Sequence, residues 1–125
     1  MTMKVVVIWA HISEYPDPIT FKSGDEVHLG DEDLEYPGWV RTTTRDGKVG
    51  WAPLAYLEAT DDPQRGIATR DYDATELNTQ VGERLHVLDQ LMGWGRVENA
   101  LGQVGWVPLS TVEGLMDTDS GDAGK

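Results

Sequence analysis

Apolar and polar positions alternate through most of this chain. In GDEVHL, Gly24 to Leu29, the apolar Val27 and Leu29 are separated by a polar residue. In GERLHV, Gly82 to Val87, Leu85 and Val87 repeat the arrangement. A period of two is the signature of a half-buried strand. The β-branched run from Val5 to Trp9, inside MTMKVVVIWA, predicts a first strand. GWVRTTTRDGKVGWAP predicts two strands around a turn at Arg45-Asp46-Gly47, and GWGRVENALGQVGWVP predicts the same around Gly102. No window holds a helical period over three turns. The pattern predicts an all-β chain with about five short strands in each half.

The two halves are copies of one another. KVGWAPLAYLE, Lys48 to Glu58, and QVGWVPLSTVE, Gln103 to Glu113, share six of eleven positions at an offset of 55. Gly38-Trp39 and Gly93-Trp94, Arg41 and Arg96, and Gly47 and Gly102 keep that offset. Further back, Gly24 and Gly82, His28 and His86, and Ala10 and Ala68 match at 58. The first copy therefore carries three more residues between His28 and Gly38. A repeat of this length makes each copy a structural unit. The expected boundaries are 1–58 for the first domain, 59–67 for a linker and 68–113 for the second domain. ATDDPQRGI, Ala59 to Ile67, is polar with one Pro and one Gly, which is loop chemistry. GLMDTDSGDAGK, residues 114–125, is Gly- and Asp-rich without periodicity and is expected to be a disordered acidic tail.

Strand alternation also assigns faces. Val40 and Thr42 alternate with Trp39, Arg41 and Thr43, and Gly95 and Val97 with Trp94, Arg96 and Glu98. Gly50 and Ala52 share a face opposite Trp51, as Gly105 and Val107 do opposite Trp106. With the small and branched residues inward, each copy aims two tryptophans outward. Outward aromatics of this kind mark a contact surface.

Composition narrows the classes. At 39% hydrophobic and 26% charged, the chain is globular. Its 125 residues suffice for one ordinary domain or two very small ones. A net charge of −12 is the wrong sign for nucleic acid or an anionic membrane and favours cationic partners. There is no cysteine, so disulfides and thiolate chemistry are excluded. With no secretory pattern at the start, this fits a cytoplasmic setting. No stretch approaches the length of a membrane-spanning helix. His28 and His86 match through duplication, and no His pair has ligand spacing, so no metal is expected. There is no nucleophile elbow, phosphate loop or converging carboxylate pair, so neither catalysis nor a cofactor is expected.

The ordered features of each copy resemble the Src-homology-3 (SH3) domain, a small five-stranded barrel. They are a first strand, a Gly-Asp or Gly-Glu turn, Gly-Trp, a hairpin, then Gly-aromatic-x-Pro. The second copy, with ATRDYDATELNTQVGERLHVL, is similar to the family's opening. The first, with HISEYPDPITFKSGDEVHLG, resembles a divergent bacterial variant. Together the resemblances cover Lys4 to Glu113 and imply tandem SH3-like barrels.

The resemblance implies an aromatic groove for extended, Pro-rich segments. Carried over by position, the first copy supplies Trp39, Trp51, Pro53 and Tyr56, with Tyr15 and Tyr36 nearby. The second supplies Tyr72, Trp94, Trp106 and Pro108. The second copy departs from the family pattern, with Arg70 where the first groove tyrosine stands and Thr111 where the last stands. In the first copy Ile12 and Glu14 fall at the early tyrosine pair. In both, the loop after the first strand is shorter than is usual. The insertion GDEDLEYPG brings Asp31, Asp33 and Glu35 next to Trp39, which suits a basic ligand, including by cation–π contact. The expected function is therefore a non-catalytic module reading a basic or Pro-containing protein segment. Two alternatives stand beside it: a scaffold whose tryptophan faces pack between barrels or in an oligomer, and cell-wall recognition.

Overall fold

A computed structural model describes residues 3–14 and 17–115 of the chain. The strands of the first half are β1 (Met3–Val7), β2 (Thr20–Phe21), β3 (Glu26–Glu32), β4 (Trp39–Thr43), β5 (Val49–Pro53) and β6 (Leu57–Ala59). Those of the second are β7 (Arg65–Ala68), β8 (Tyr72–Asp73), β9 (Arg84–Leu91), β10 (Trp94–Glu98), β11 (Val104–Pro108) and β12 (Val112–Gly114). One 3-10 turn, Leu54–Tyr56, joins β5 to β6, and another, Leu109–Thr111, joins β11 to β12. The all-β expectation is met, with two five-stranded sheets.

The compact units are not the two sequence copies. One is contiguous, Tyr15–Thr75; the other is split, Met1–Glu14 with Glu76–Lys125. Each takes its first strand from the other copy. In the contiguous unit the sheet order is β5-β4-β3-β7-β6, so β7 of the second copy completes the strands of the first. In the split unit it is β11-β10-β9-β1-β12, with β1 between β9 and β12. The contiguous unit is thus a permuted barrel, placed in sequence within the loop that follows β1.

The segment read as a linker accounts for the exchange locally. Leu57, Glu58 and Ala59 pair with Ala68, Ile67 and Gly66, so β6 and β7 form a hairpin. Its turn is closed by Asp62, whose carboxylate accepts from Gln64 N at 2.9 Å and whose carbonyl accepts from Arg65 N at 3.0 Å. The Thr60 hydroxyl donates to the Asp62 carbonyl at 2.9 Å. A turn this short is the least costly loop to close. It sets β7, the nearest strand in sequence, beside β6. The Pro and Gly that suggested a linker are the turn chemistry of a hairpin.

Equivalent hydrogen bonds fix which residues correspond. Gly24 N donates to Ala68 O, and Gly82 N donates to Val7 O. Val7, not Ala10, therefore stands where Ala68 does, and the sequence match between the two alanines is three residues out of structural register. The predicted first strand, Val5 to Trp9, is accordingly Met3–Val7, with Ile8 and Trp9 beyond it and exposed. Gly114, expected in the tail, ends β12, and Leu115 N donates to Lys4 O at 2.9 Å. The rest of the expected disordered tail, 116–125, lies outside the described residues.

The predicted inward faces are buried. Val40, Thr42 and Ala52 line the contiguous unit with Ile19, Phe21 and Val27. Gly50 faces that core because a Cβ there would lie 3.1 Å from Ile19 Cγ2. The split unit packs Val5, Val7, Leu77, Leu85, Val87, Val97 and Val107 together. At both β-hairpin tips a glycine has positive φ, Gly47 at 88° and Gly102 at 80°, which explains why that residue recurs. Beside Gly47, a hydrogen bond from the Thr44 hydroxyl holds the Asp46 carboxyl below its ordinary pKa.

Candidate functional site

The aromatic cluster that includes Tyr56 lies in the contiguous unit and draws on both copies. Trp39 on β4 stands opposite Pro53 on β5. Pro53 opens the 3-10 turn, whose first amide, Leu54 N, donates to Gly38 O at 2.8 Å. This ties the turn to the backbone just before Trp39. The turn ends on Tyr56, whose ring meets that of Tyr72 edge-on, 5.7 Å between centroids. Tyr72 in turn packs on Phe21 at 5.5 Å, where β8 pairs with β2. Thr69 fastens the second-copy segment to Tyr56: its amide and its hydroxyl both donate to Tyr56 O, at 2.8 and 3.1 Å. Arg70 lays its guanidinium over the Tyr56 ring, 4.3 Å from the centroid.

Sequence reasoning assigned Tyr56 to one surface and Tyr72 to another. The strand exchange joins them. Both rings are buried, Tyr56 at 6% and Tyr72 at 8% exposure, and so is Pro53, below 2%, so none of the three projects as a plate. Trp39 is half-buried on the outer face. Trp51 shares that face, two residues before Pro53, where Arg41 lies over it at 5.5 Å.

The acidic loop borders Trp39. Asp33 N donates to Trp39 O at 2.8 Å. The Asp33 carboxylate accepts from Glu35 N at 2.8 Å and Tyr36 N at 3.2 Å, which folds the loop into an Asx turn. This turn holds Leu34 and Tyr36 out in solvent, at 99% and 61% exposure, between exposed Asp31 and Glu35. Tyr15 lies outside the described residues.

The split unit builds the corresponding place differently. Trp94 stands opposite Pro108. Thr111 replaces the tyrosine, and its hydroxyl donates to Pro108 O at 2.6 Å. In the corrected register His11 occupies the position of Tyr72. Its ring sits edge-on to Trp94 at 5.9 Å, and its Nε2 lies 2.8 Å from Glu76 Oε1. Trp106, expected to face solvent, is only 6% exposed. The chain at Glu76 and Leu77 runs against it, and Leu77 N donates to its carbonyl. The predicted second surface of Tyr72, Trp94, Trp106 and Pro108 is thus divided between units and partly covered. His11 and Glu76 went unrecognised because the alanine match set the first strands out of register, and Arg70, read as a departure from the groove pattern of the second copy, lies over Tyr56 in the contiguous unit instead.

Among the described residues, no group of three His, Asp or Glu is placed to hold a metal ion. No helix among them is long and apolar enough to cross a membrane. Residues 4–59 match the family model of the variant SH3 domain, and the two sheets are consistent with SH3-like barrels. Domains of this kind commonly serve as protein-interaction modules and are generally non-catalytic. The match runs from β1 to β6 and so includes the strand that closes the other unit. No curated protein matches the chain.

Proposed function

We propose that the contiguous unit binds a basic or Pro-containing protein segment along the line from the acidic loop through Trp39 and Pro53 to Tyr56. The observation that carries this reading is the composite aromatic site. Trp39 and the fully buried Pro53 face each other across a strand pair, Tyr56 and Tyr72 meet edge-to-face in the same unit, and a carboxylate-rich loop is bonded to the Trp39 carbonyl. The half-buried Trp39 ring offers a flat apolar plate, and an extended Pro-rich segment loses little entropy on docking there. Asp31, Asp33 and Glu35 supply a field that draws a cation to the Trp39 end. A cytoplasmic setting is part of this reading.

Trp39 is the residue whose loss tests the site. Its side chain is outward while Val40 and Thr42 hold the core, so Trp39→Ala leaves the fold standing. Binding of an Arg-flanked Pro-rich peptide, followed by the indole N–H of Trp51, is expected to weaken by about thirtyfold, the roughly 2 kcal/mol of an interface hot spot. Unchanged affinity in the folded variant would remove this site from the account.

A further inference from the structure

The connection between β3 and β4 is longer than its counterpart. In the split unit the corresponding strands, β9 and β10, are joined by Met92 and Gly93 alone, both at positive φ. In the contiguous unit the connection runs from Asp33 to Gly38. A barrel of this design therefore closes without the added residues, and a loop the fold does not require is a place for contacts with other molecules. The loop is not merely polar. Leu34 is 99% exposed and Tyr36 61%, so neither side chain serves the core. Asp33 shapes the turn between them, its carboxylate accepting from Glu35 N and Tyr36 N. Its own amide donates to Trp39 O at 2.8 Å, which sets the pair at the Trp39 end of the binding line. Asp31, Glu32 and Glu35 stand exposed around them. Among the described residues no Lys or Arg pairs with these acids: Lys48 pairs with Asp17, Arg65 with Glu26 and Asp62, and Arg41 lies over Trp51.

We propose that Leu34 and Tyr36 form an apolar docking point for an aliphatic side chain carried next to a Lys or Arg on the ligand, an inference that rests on the binding reading above and narrows its ligand. Exposed apolar side chains rimmed by charge mark a contact surface, and the sign of the rim selects what covers it. Here the rim is acidic, so the covering segment is basic. A second copy of this chain would bring the same carboxylates, and a net charge of −12, against them. A cation alone answers the carboxylates but leaves the Leu34 side chain in water, whereas an aliphatic neighbour on the ligand withdraws it. The Tyr36 ring, apolar on its faces and polar at its hydroxyl, suits the edge of such a contact. The ligand is thus an extended segment in which Leu, Ile or Met adjoins Lys or Arg, with its Pro against Trp39.

The test uses the full chain and two capped peptides, Leu-Arg-Pro-Ala-Pro-Arg-Leu and Ala-Arg-Pro-Ala-Pro-Arg-Ala, titrated while the Trp39 indole signal is followed. Both carry the same charge and read alike in either chain direction, so they differ only in their aliphatic ends. The native protein is expected to bind the first about fivefold tighter, the scale of one or two buried methylene groups. Leu34→Ser and Tyr36→Ser are each expected to bring the two affinities toward equality. Leu101→Ser, which removes an exposed leucine from the split unit, keeps the preference. The native position of the Trp51 indole signal reports that each variant is folded. Equal binding of both peptides by the native protein, or a preference that the loop variants keep, overturns the docking point while the site itself stands. Self-association of the free protein that Leu34→Ser abolishes would assign the loop to a second copy and overturn it as well. If neither peptide moves Trp39, the binding reading falls and the docking point falls with it.

Discussion

A chain beginning at Ile8 is expected to lose the fold of residues 76–115 and keep that of residues 17–75. The reverse would be expected if each sequence copy closed on its own first strand. β1 lies inside the split unit's sheet, bonded to β9 on one side and β12 on the other. It contributes Val5 and Val7, at 2% and 1% exposure, to a core of few side chains. Each buried valine is worth about 1.5–3 kcal/mol. Losing both, together with two ladders of backbone hydrogen bonds, is comparable with the 5–15 kcal/mol that holds a small domain folded. The indole signals of Trp94 and Trp106 are therefore expected to collapse toward unfolded positions, while those of Trp39 and Trp51 keep their native shifts. Retention of dispersed Trp94 and Trp106 signals would mean that β1 does not complete that barrel.

The second large effect is expected at Tyr72. Replacement by Ala removes a ring packed between Phe21 and Tyr56, and truncating a buried aromatic costs about 3–5 kcal/mol. The loss is expected in the unit that holds Trp39 and Trp51, although Tyr72 belongs to the other copy in sequence. Tyr72→Phe keeps the ring and is expected to cost far less. Peptide binding should weaken even at temperatures where Tyr72→Ala remains folded, because Tyr56 loses the edge contact that orients it. Thermal unfolding monitored separately at the Trp51 and Trp94 indoles distinguishes the units. Destabilisation seen only at Trp94 would contradict the placement of Tyr72.

Much of the fold was legible in sequence because strand alternation is a local signal. Val40 and Thr42 were read as inward and are buried; the repeated Gly47 and Gly102 were read as hairpin turns and have the positive φ such turns need. Partner choice was not legible. β1 and β7 are both β-competent strands that fill corresponding places in sheets of the same design, so local pattern cannot say which closes which barrel. The deciding feature, the hairpin turn around Asp62, had the same polar, Pro- and Gly-containing composition as a linker. Trp39, Pro53 and Tyr56 could be grouped from sequence because they lie within one copy. Their relation to Tyr72 was missed because it depends on the exchange. Trp106 was read as solvent-facing because alternation gives the face of a side chain but not what passes over it.

The chain has no cysteine, so an introduced pair reports strand partnership directly. Val6 faces Glu113 across β1 and β12. Residues opposite one another in an antiparallel pair have Cα atoms about 4.5–5.5 Å apart, within the range a disulfide spans. On oxidation of dilute protein, the variant carrying Val6→Cys and Glu113→Cys is expected to form an intramolecular disulfide quantitatively and keep its Trp39 response to peptide. The variant carrying Val6→Cys and Glu58→Cys, which would bridge β1 to β6 within one copy, is expected to stay reduced. The opposite outcome, a bridge from Val6 to Glu58 and none to Glu113, would show that each copy closes on its own first strand, and the composite site of Tyr56 and Tyr72 would not exist.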